Sequence, residues 1–217
     1  MADFAARRRI MVDTQIRPSD VTSFPIIDAM LNVPREAFVP AAARDLAYLG
    51  GPIPLGDGRQ VMEPRTTAKM LEALDVTPDE LVLEVGPGLG YATALLARMA
   101  EAVVAVEEDP DLAREAEATL AAHGVDNAAL LTGPLTEGSA GNGPFDVIAI
   151  FAGVEQMPPA LTGQLKEGGR IMAVFMDGPL GEVRLGLKRQ GSVSWRMEFN
   201  ATAPVLPGFA RAPSFEF

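Results

Sequence analysis

The 217-residue chain is 48% hydrophobic with a formal net charge of −11: ample material for one core, but a poor match to nucleic-acid phosphates, which call for clustered Lys and Arg. It has no cysteine and a single histidine, His123, which excludes disulfides and thiolate metal sites and leaves a His-rich metal centre or a Ser-His-Asp triad without its parts. No run approaches the roughly 18 apolar residues of a membrane span and residues 1–9 lack an apolar signal core, so a cytoplasmic enzyme-like domain is expected, with no nucleic acid, membrane or metal as partner.

The triplet Arg7-Arg8-Arg9 is the only basic run and reads as a solvated helix end or tail. Residues 26–31 open a short amphipathic helix that stops near Val33, because Pro34 disfavours helix in the residue before it. Residues 50–64 are rich in Gly and Pro and predict an extended loop. A helix over 65–74 follows, with Met70, Leu71 and Leu74 on its apolar side. Glu72, Asp79 and Glu80 read as solvated charges. Phe4, Phe24, Phe38 and the methionines read as core or loop packing.

From residue 81 the pattern changes. Strands at 81–85, 102–107, 128–132, 146–151 and 170–175 alternate with helices at 92–100, 110–123 and 159–166, the signature of βαβ units and a parallel sheet. Pro110 and Pro159 suit a first helical turn, and His123 reads as a solvated helix end before Gly124. Residues 182–189 and 192–200 then alternate in hydrophobicity around a Gln190-Gly191 turn, which predicts an antiparallel hairpin. The chain divides into a helical segment with a loop (1–80) and an α/β core (81–217), within one structural domain.

The segment Leu81-Val-Leu-Glu-Val-Gly-Pro-Gly-Leu-Gly-Tyr91 carries the chemistry. A buried strand enters a turn in which Gly86, Gly88 and Gly90 lack Cβ atoms, so a ligand can approach the backbone. A dinucleotide fingerprint requires its third glycine where Tyr91 stands. Glu84, two residues before the first glycine, suits the cationic methionine end of S-adenosylmethionine and gains nothing from a pyrophosphate. Glu107 ends the next strand, where a carboxylate can accept both ribose hydroxyls.

Most of the chain resembles the protein-L-isoaspartate O-methyltransferase family. The likeness rests on Met11-Val-Asp-Thr-Gln-Ile-Arg-Pro18, Ile27-Asp-Ala-Met-Leu-Asn-Val-Pro-Arg-Glu-Ala-Phe-Val-Pro40, Asp45-Leu-Ala-Tyr48, Pro52-Ile-Pro-Leu-Gly56, Pro144-Phe-Asp-Val-Ile148 and Gln164-Leu-Lys-Glu-Gly-Gly-Arg170. It implies a Rossmann-like class I methyltransferase fold, S-adenosylmethionine as cofactor, and an isoaspartyl protein or peptide as acceptor. It places Glu84, Gly86, Gly88, Gly90, Tyr91, Glu107, Glu108, Gly133 and Phe151 at the cofactor, and Arg59, Gln60, Val61 and Met62 at the substrate. Residues near 151–154 and 203–206 would help hold the acceptor.

Two positions depart from the family. Its loop reads Thr-Ile-Ser-x-Pro, with the serine on the substrate carboxylate; here Met62 replaces the serine, and a thioether cannot donate that hydrogen bond. An inward Glu63 would repel the same carboxylate by about 4 kcal/mol at ~4 Å and an effective dielectric of ~20. The family's adenine-binding acid is Pro134 here, which costs one bond worth about 1.5–3 kcal/mol unless Thr132, Thr136 or a carbonyl replaces it. No catalytic residue is assigned. Three readings stand: an isoaspartyl carboxyl methyltransferase, a class I methyltransferase with a smaller or more apolar acceptor, and a non-catalytic binding protein retaining the fold.

Overall fold

The computed structural model describes residues 3–212. Its first helix, α1 (Phe4–Met11), starts where the Asp3 side chain accepts from Ala6 N, satisfying an orphan N–H of the first turn. It runs on through a π-helical turn, Val12–Ile16. α2 (Phe24–Asn32) covers the predicted helix and leaves helical geometry at Val33, before Pro34. α3 (Pro64–Leu74) begins on its proline and buries Met70, Leu71 and Leu74, as the apolar spacing predicts.

The C-terminal part is a seven-stranded sheet in the order β5-β4-β3-β6-β7-β8-β9. Its parallel strands are β3 (Leu81–Val85), β4 (Ala102–Glu107), β5 (Ala128–Thr132), β6 (Phe145–Val154) and β7 (Leu165–Asp177). The antiparallel pair β8 (Leu180–Arg189) and β9 (Ser192–Asn200) closes it. The connecting helices are α4 (Tyr91–Ala97), α5 (Pro110–Ala122) and α6 (Pro159–Gly163). Asp109 caps α5 by accepting from Asp111 N and Leu112 N. Chain order reverses between β3 and β6, and ligands of open parallel sheets bind outside the carboxyl ends of the strands at that switch.

One buried cluster unites both parts of the chain: Met11, Ile27, Phe38 and Met70 pack with Val82, Leu95, Val147 and Met172. The structure corrects several local expectations. Residues 50–64 are not simply extended; they hold a hairpin of β1 (Ile53–Gly56) and β2 (Arg59–Val61). Its cause is Asp57-Gly58, whose φ values of 47° and 72° suit a tight turn between strands. α6 stops short of Lys166 because Leu165 already pairs with Phe145, and α4 ends three residues early.

Charges expected in solvent are partly inside. Arg8 lies within α1 and donates to Tyr48 Oη (2.9 Å) and Glu36 (3.1 Å). Glu80 takes both Arg170 nitrogens at 2.8 Å, and the same guanidinium donates to Leu74 O and Asp75 O, tying the end of α3 to β7. Glu72 accepts from Ser23 N at the start of α2. Phe24 reverses the other way: it is 77% exposed. His123 is exposed at the end of α5, with its ring 5.7 Å from that of Phe38.

Candidate active site

The carboxyl end of β3 turns through Gly86, Gly88 and Gly90 with φ of 73°, 58° and 87°, a left-handed backbone that glycine adopts without a Cβ penalty. Glu84, on the last turnward residues of β3, is 1% exposed and accepts from Thr93 Oγ1 of α4 at 2.6 Å. Burial pushes its carboxyl up to about 8, against the pull of the Thr93 hydrogen bond and with a further push from Glu107. A buried acid of this kind is near-neutral until a cation comes beside it.

Glu107, at the end of β4, is fully buried and already engaged. Arg59 Nη1 and Nη2 donate to its two oxygens at 2.8 and 2.6 Å. Gly88 N donates to Oε2 at 2.9 Å, and Glu108 N and Asp109 N donate to Oε1. Arg59 reaches down from β2, so the hairpin lies over the glycine turn. A Cβ on Gly88 would sit 2.8 Å from Leu55 Cδ1, and one on Gly86 would sit 3.1 Å from Leu206 Cδ1 and 3.3 Å from Arg59 Nη2. Leu55 and the Arg59–Glu107 ion pair are what the sequence reading missed. Nothing in the spacing of residues 59 and 107 reports their contact.

The rest of β2 and the following turn face another way. Gln60, Met62, Glu63 and Thr66 border a cavity of about 380 Å³, shared with Asn200 and Thr202. Val61 and Met62 are buried, and Met62 O accepts from Arg35 Nη2 at 2.7 Å. Arg35 is itself fully buried, donates to Ala47 O, and stacks 4.7 Å from the Tyr91 ring centroid. It fixes the backbone of the loop at the position of the family's serine. The Glu63 carboxylate accepts from Thr66 Oγ1, folded over the first turn of α3 while still bordering the cavity.

The remaining expected residues divide. Glu108 lies beside Glu107, half-buried, with its carboxyl raised by burial and eased back by Arg59. Gly133 N donates to Glu107 O at 3.0 Å, at the end of β5. Phe151 belongs to the buried cluster that contains Met62 and Tyr91. Tyr91 starts α4, but its ring packs between Arg35 and Phe38 in the N-terminal layer. The segment around Ala203–Leu206 does join β6: Gly153 N donates to Pro204 O and Leu206 N to Gly153 O, both at 2.9 Å. A hollow of about 480 Å³ lined by Phe38, Arg98 and His123 shares no residue with the glycine turn.

Comparison with known proteins agrees with this geometry. The model of the family described as protein-L-isoaspartate(D-aspartate) O-methyltransferase matches residues 6–197. A protein-L-isoaspartate O-methyltransferase of Koribacter versatilis is 41% identical over 172 residues, which is 79% of this chain and 78% of that one. One of Methylorubrum extorquens is 42% identical over 189 residues, 87% of this chain and 82% of that one. Among solved structures, a Plasmodium falciparum protein described as of the same kind, in complex with S-adenosyl-L-homocysteine, superposes with a TM-score of 0.79 at 18% identity, covering 95% of this chain and 99% of that one. The chain belongs to the protein-L-isoaspartate(D-aspartate) O-methyltransferase family, with the fold of a class I methyltransferase and the S-adenosylmethionine-dependent carboxyl O-methyltransferase chemistry of that family.

Proposed function

We propose that this chain methylates the free carboxylate of isoaspartyl residues in proteins or peptides, in the cytosol, as a step in repair of damaged chains. The observation that carries the reading is the juxtaposition at the β3–β6 switch. Glu84, the glycine turn and Glu107 form one buried floor, and Leu55 and Arg59 of the hairpin lie directly over it, while Gln60 and Met62 border a cavity that shares none of these residues.

The residues present suit S-adenosylmethionine. Glu84 is a buried carboxyl with no cationic partner among the described residues, and Gly86 and Gly88 form a cradle against which the Leu55, Arg59 and Leu206 side chains pack. The cofactor supplies an electrophilic methyl group on a sulfonium. Glu84 would face its methionine end, Glu107 its ribose, and Glu108, Gly133 and Phe151 the rim of the site. An acceptor carboxylate, with an ordinary pKa near 4, is ionised at neutral pH and needs no general base. The work of this chain is then to hold the acceptor carboxylate and exclude water from it. Isothermal titration with S-adenosylmethionine, followed by methyl transfer to an isoaspartyl peptide and to its aspartyl twin, tests the reading. Turnover of the first alone is expected; cofactor binding with no turnover of either would sink it.

A second reading keeps the cofactor and changes the acceptor. It is favoured by Met62 and Glu63 on the cavity of about 380 Å³, which give that wall a thioether and an acid where the family has a hydroxyl. Screening labelled methyl transfer against uncharged and cationic acceptors distinguishes the two.

A further inference from the structure

The Arg59–Glu107 pair is incompatible with the role proposed for Glu107 unless one partner moves. A carboxylate offers about four lone-pair sites. Here it accepts from two Arg59 nitrogens and from the amides of Gly88, Glu108 and Asp109. The amides belong to the glycine turn and the start of α5, so they are fixed by the fold. Only Arg59 stands on a separate element, and its side chain occupies the space beside Gly86.

A displaced Arg59 cannot remain where it is without a partner, because a buried guanidinium stripped of its counter-charge is strongly unfavourable. It stands next in sequence to Gln60, whose side chain borders the cavity assigned to the acceptor. Successive strand residues point to opposite faces and Arg59 does not line that cavity, so its guanidinium must swing round the hairpin edge to reach it. That cavity lacks the serine hydroxyl and carries the negative Glu63. A carboxylate entering it needs a cation, and Arg59 is the one on the same strand. Glu108, which already feels the Arg59 charge, is the competing partner within reach.

We infer that Arg59 is a specificity-determining residue with two positions: it stands on Glu107 in the empty protein, and it turns to the acceptor carboxylate once the ribose takes its place. This rests on the reading of Glu107 as the ribose acid and of the acceptor as anionic. It makes binding ordered: the cofactor both fills its own site and releases the group that recognises the second substrate. Bidentate guanidinium–carboxylate pairing then does what the missing hydroxyl does elsewhere in the family.

The test is calorimetric and needs no turnover. S-adenosyl-L-homocysteine is titrated into the wild type, Arg59→Ala and Arg59→Lys, and an isoaspartyl peptide is titrated into each protein with and without saturating S-adenosyl-L-homocysteine. Removing a competitor for Glu107 should tighten S-adenosyl-L-homocysteine binding by about tenfold or more in Arg59→Ala, the opposite of what structural damage does. The peptide should bind the wild type appreciably only with S-adenosyl-L-homocysteine present, lose about tenfold in Arg59→Ala, and recover in part in Arg59→Lys. Unchanged or weaker S-adenosyl-L-homocysteine binding in Arg59→Ala overturns the inference, as does peptide affinity that ignores residue 59. A wild type that binds no S-adenosyl-L-homocysteine overturns the proposed function instead. If Arg59→Ala does not fold, Arg59→Lys carries the same test, with a smaller gain expected.

Discussion

The parallel strands and the β1–β2 hairpin face each other across the glycine turn, and they differ in how they are built. The strands owe their positions to a regular hydrogen-bonded ladder, with Leu81–Val85 paired in register to Ala102–Val106, and they present backbone and acids to a ligand. The hairpin rests on a few individual contacts: Arg59 on Glu107, Leu55 above Gly88, and Arg35 holding Met62 O. On the reading proposed above, the strands carry the glycine turn and the two acids of the cofactor site. The hairpin carries Arg59, and the turn after it carries Glu63 and Met62, the latter standing where the family's loop has its serine. Residues on the cavity side of the hairpin can therefore change with less effect on the strands than Arg59, which joins the two through Glu107.

The most severe way to break that separation is to remove the residue that joins the two. Glu107→Ala leaves Arg59 buried with no counter-ion and deletes the carboxylate that organises Gly88, Glu108 and Asp109. Removing one partner of a buried ion pair costs about 3–5 kcal/mol, so thermal denaturation should show the largest fall of any single site substitution. Titration with S-adenosyl-L-homocysteine should show binding lost. A variant that melts like the wild type would mean that the hairpin is not anchored through Arg59.

Glu84 sharpens the comparison from the strand side, through pH. Its carboxyl is raised from 4.5 to about 8 in the folded chain, chiefly by burial. Between those values the unfolded chain releases a proton that the native state retains, so native stability falls as pH rises through the window and the loss is complete above about 8. Glu84→Gln removes that dependence. The empty variant should match the wild type below about pH 4.5 and melt above it by pH 8, while binding S-adenosylmethionine at least about tenfold more weakly for want of the charge. In the wild type near pH 7 the cationic ligand should drive the proton off, so the calorimetric heat should depend on the buffer's ionisation enthalpy, and in Glu84→Gln it should not.

What was legible in the sequence follows the same division. Strand periodicity, Pro110 and the spacing of Gly86, Gly88 and Gly90 are local signals, and they located β3 to β5, the turn that follows β3 and the hairpin of β8 and β9 within a residue or two. The fold class was legible for the same reason. Asp57-Gly58 was an equally local turn signal, overlooked because the surrounding glycines and prolines read as loop. Arg59 meeting Glu107 across 48 residues, Arg35 stacking on Tyr91, and Glu80 pairing with Arg170 across 90 are products of tertiary packing. No window of sequence contains both partners. Tyr91 shows the limit from the other side: it stands beside the last glycine in sequence, while its ring is committed to the opposite layer.

The smallest expected effect lies just beyond the hairpin, at the start of α3. Glu63 borders the cavity proposed for the acceptor and has its carboxylate held by Thr66, a neighbour on the first turn of α3. In that position it faces an anionic acceptor, but partial exposure screens the repulsion, so the full value for two charges at ~4 Å is not reached. Glu63→Gln keeps the shape and one acceptor for Thr66 while removing the charge. The KM for an isoaspartyl peptide should fall by about two- to fivefold, about 0.4–1 kcal/mol, with kcat and cofactor affinity unchanged. Adding salt should narrow the difference between wild type and variant, because a screened repulsion weakens as ionic strength rises. Met62→Ser in the same background supplies a hydroxyl and should lower KM further for isoaspartate alone. If both changes instead raise KM for isoaspartate while activity on another acceptor disappears, the acid and the thioether serve a different substrate.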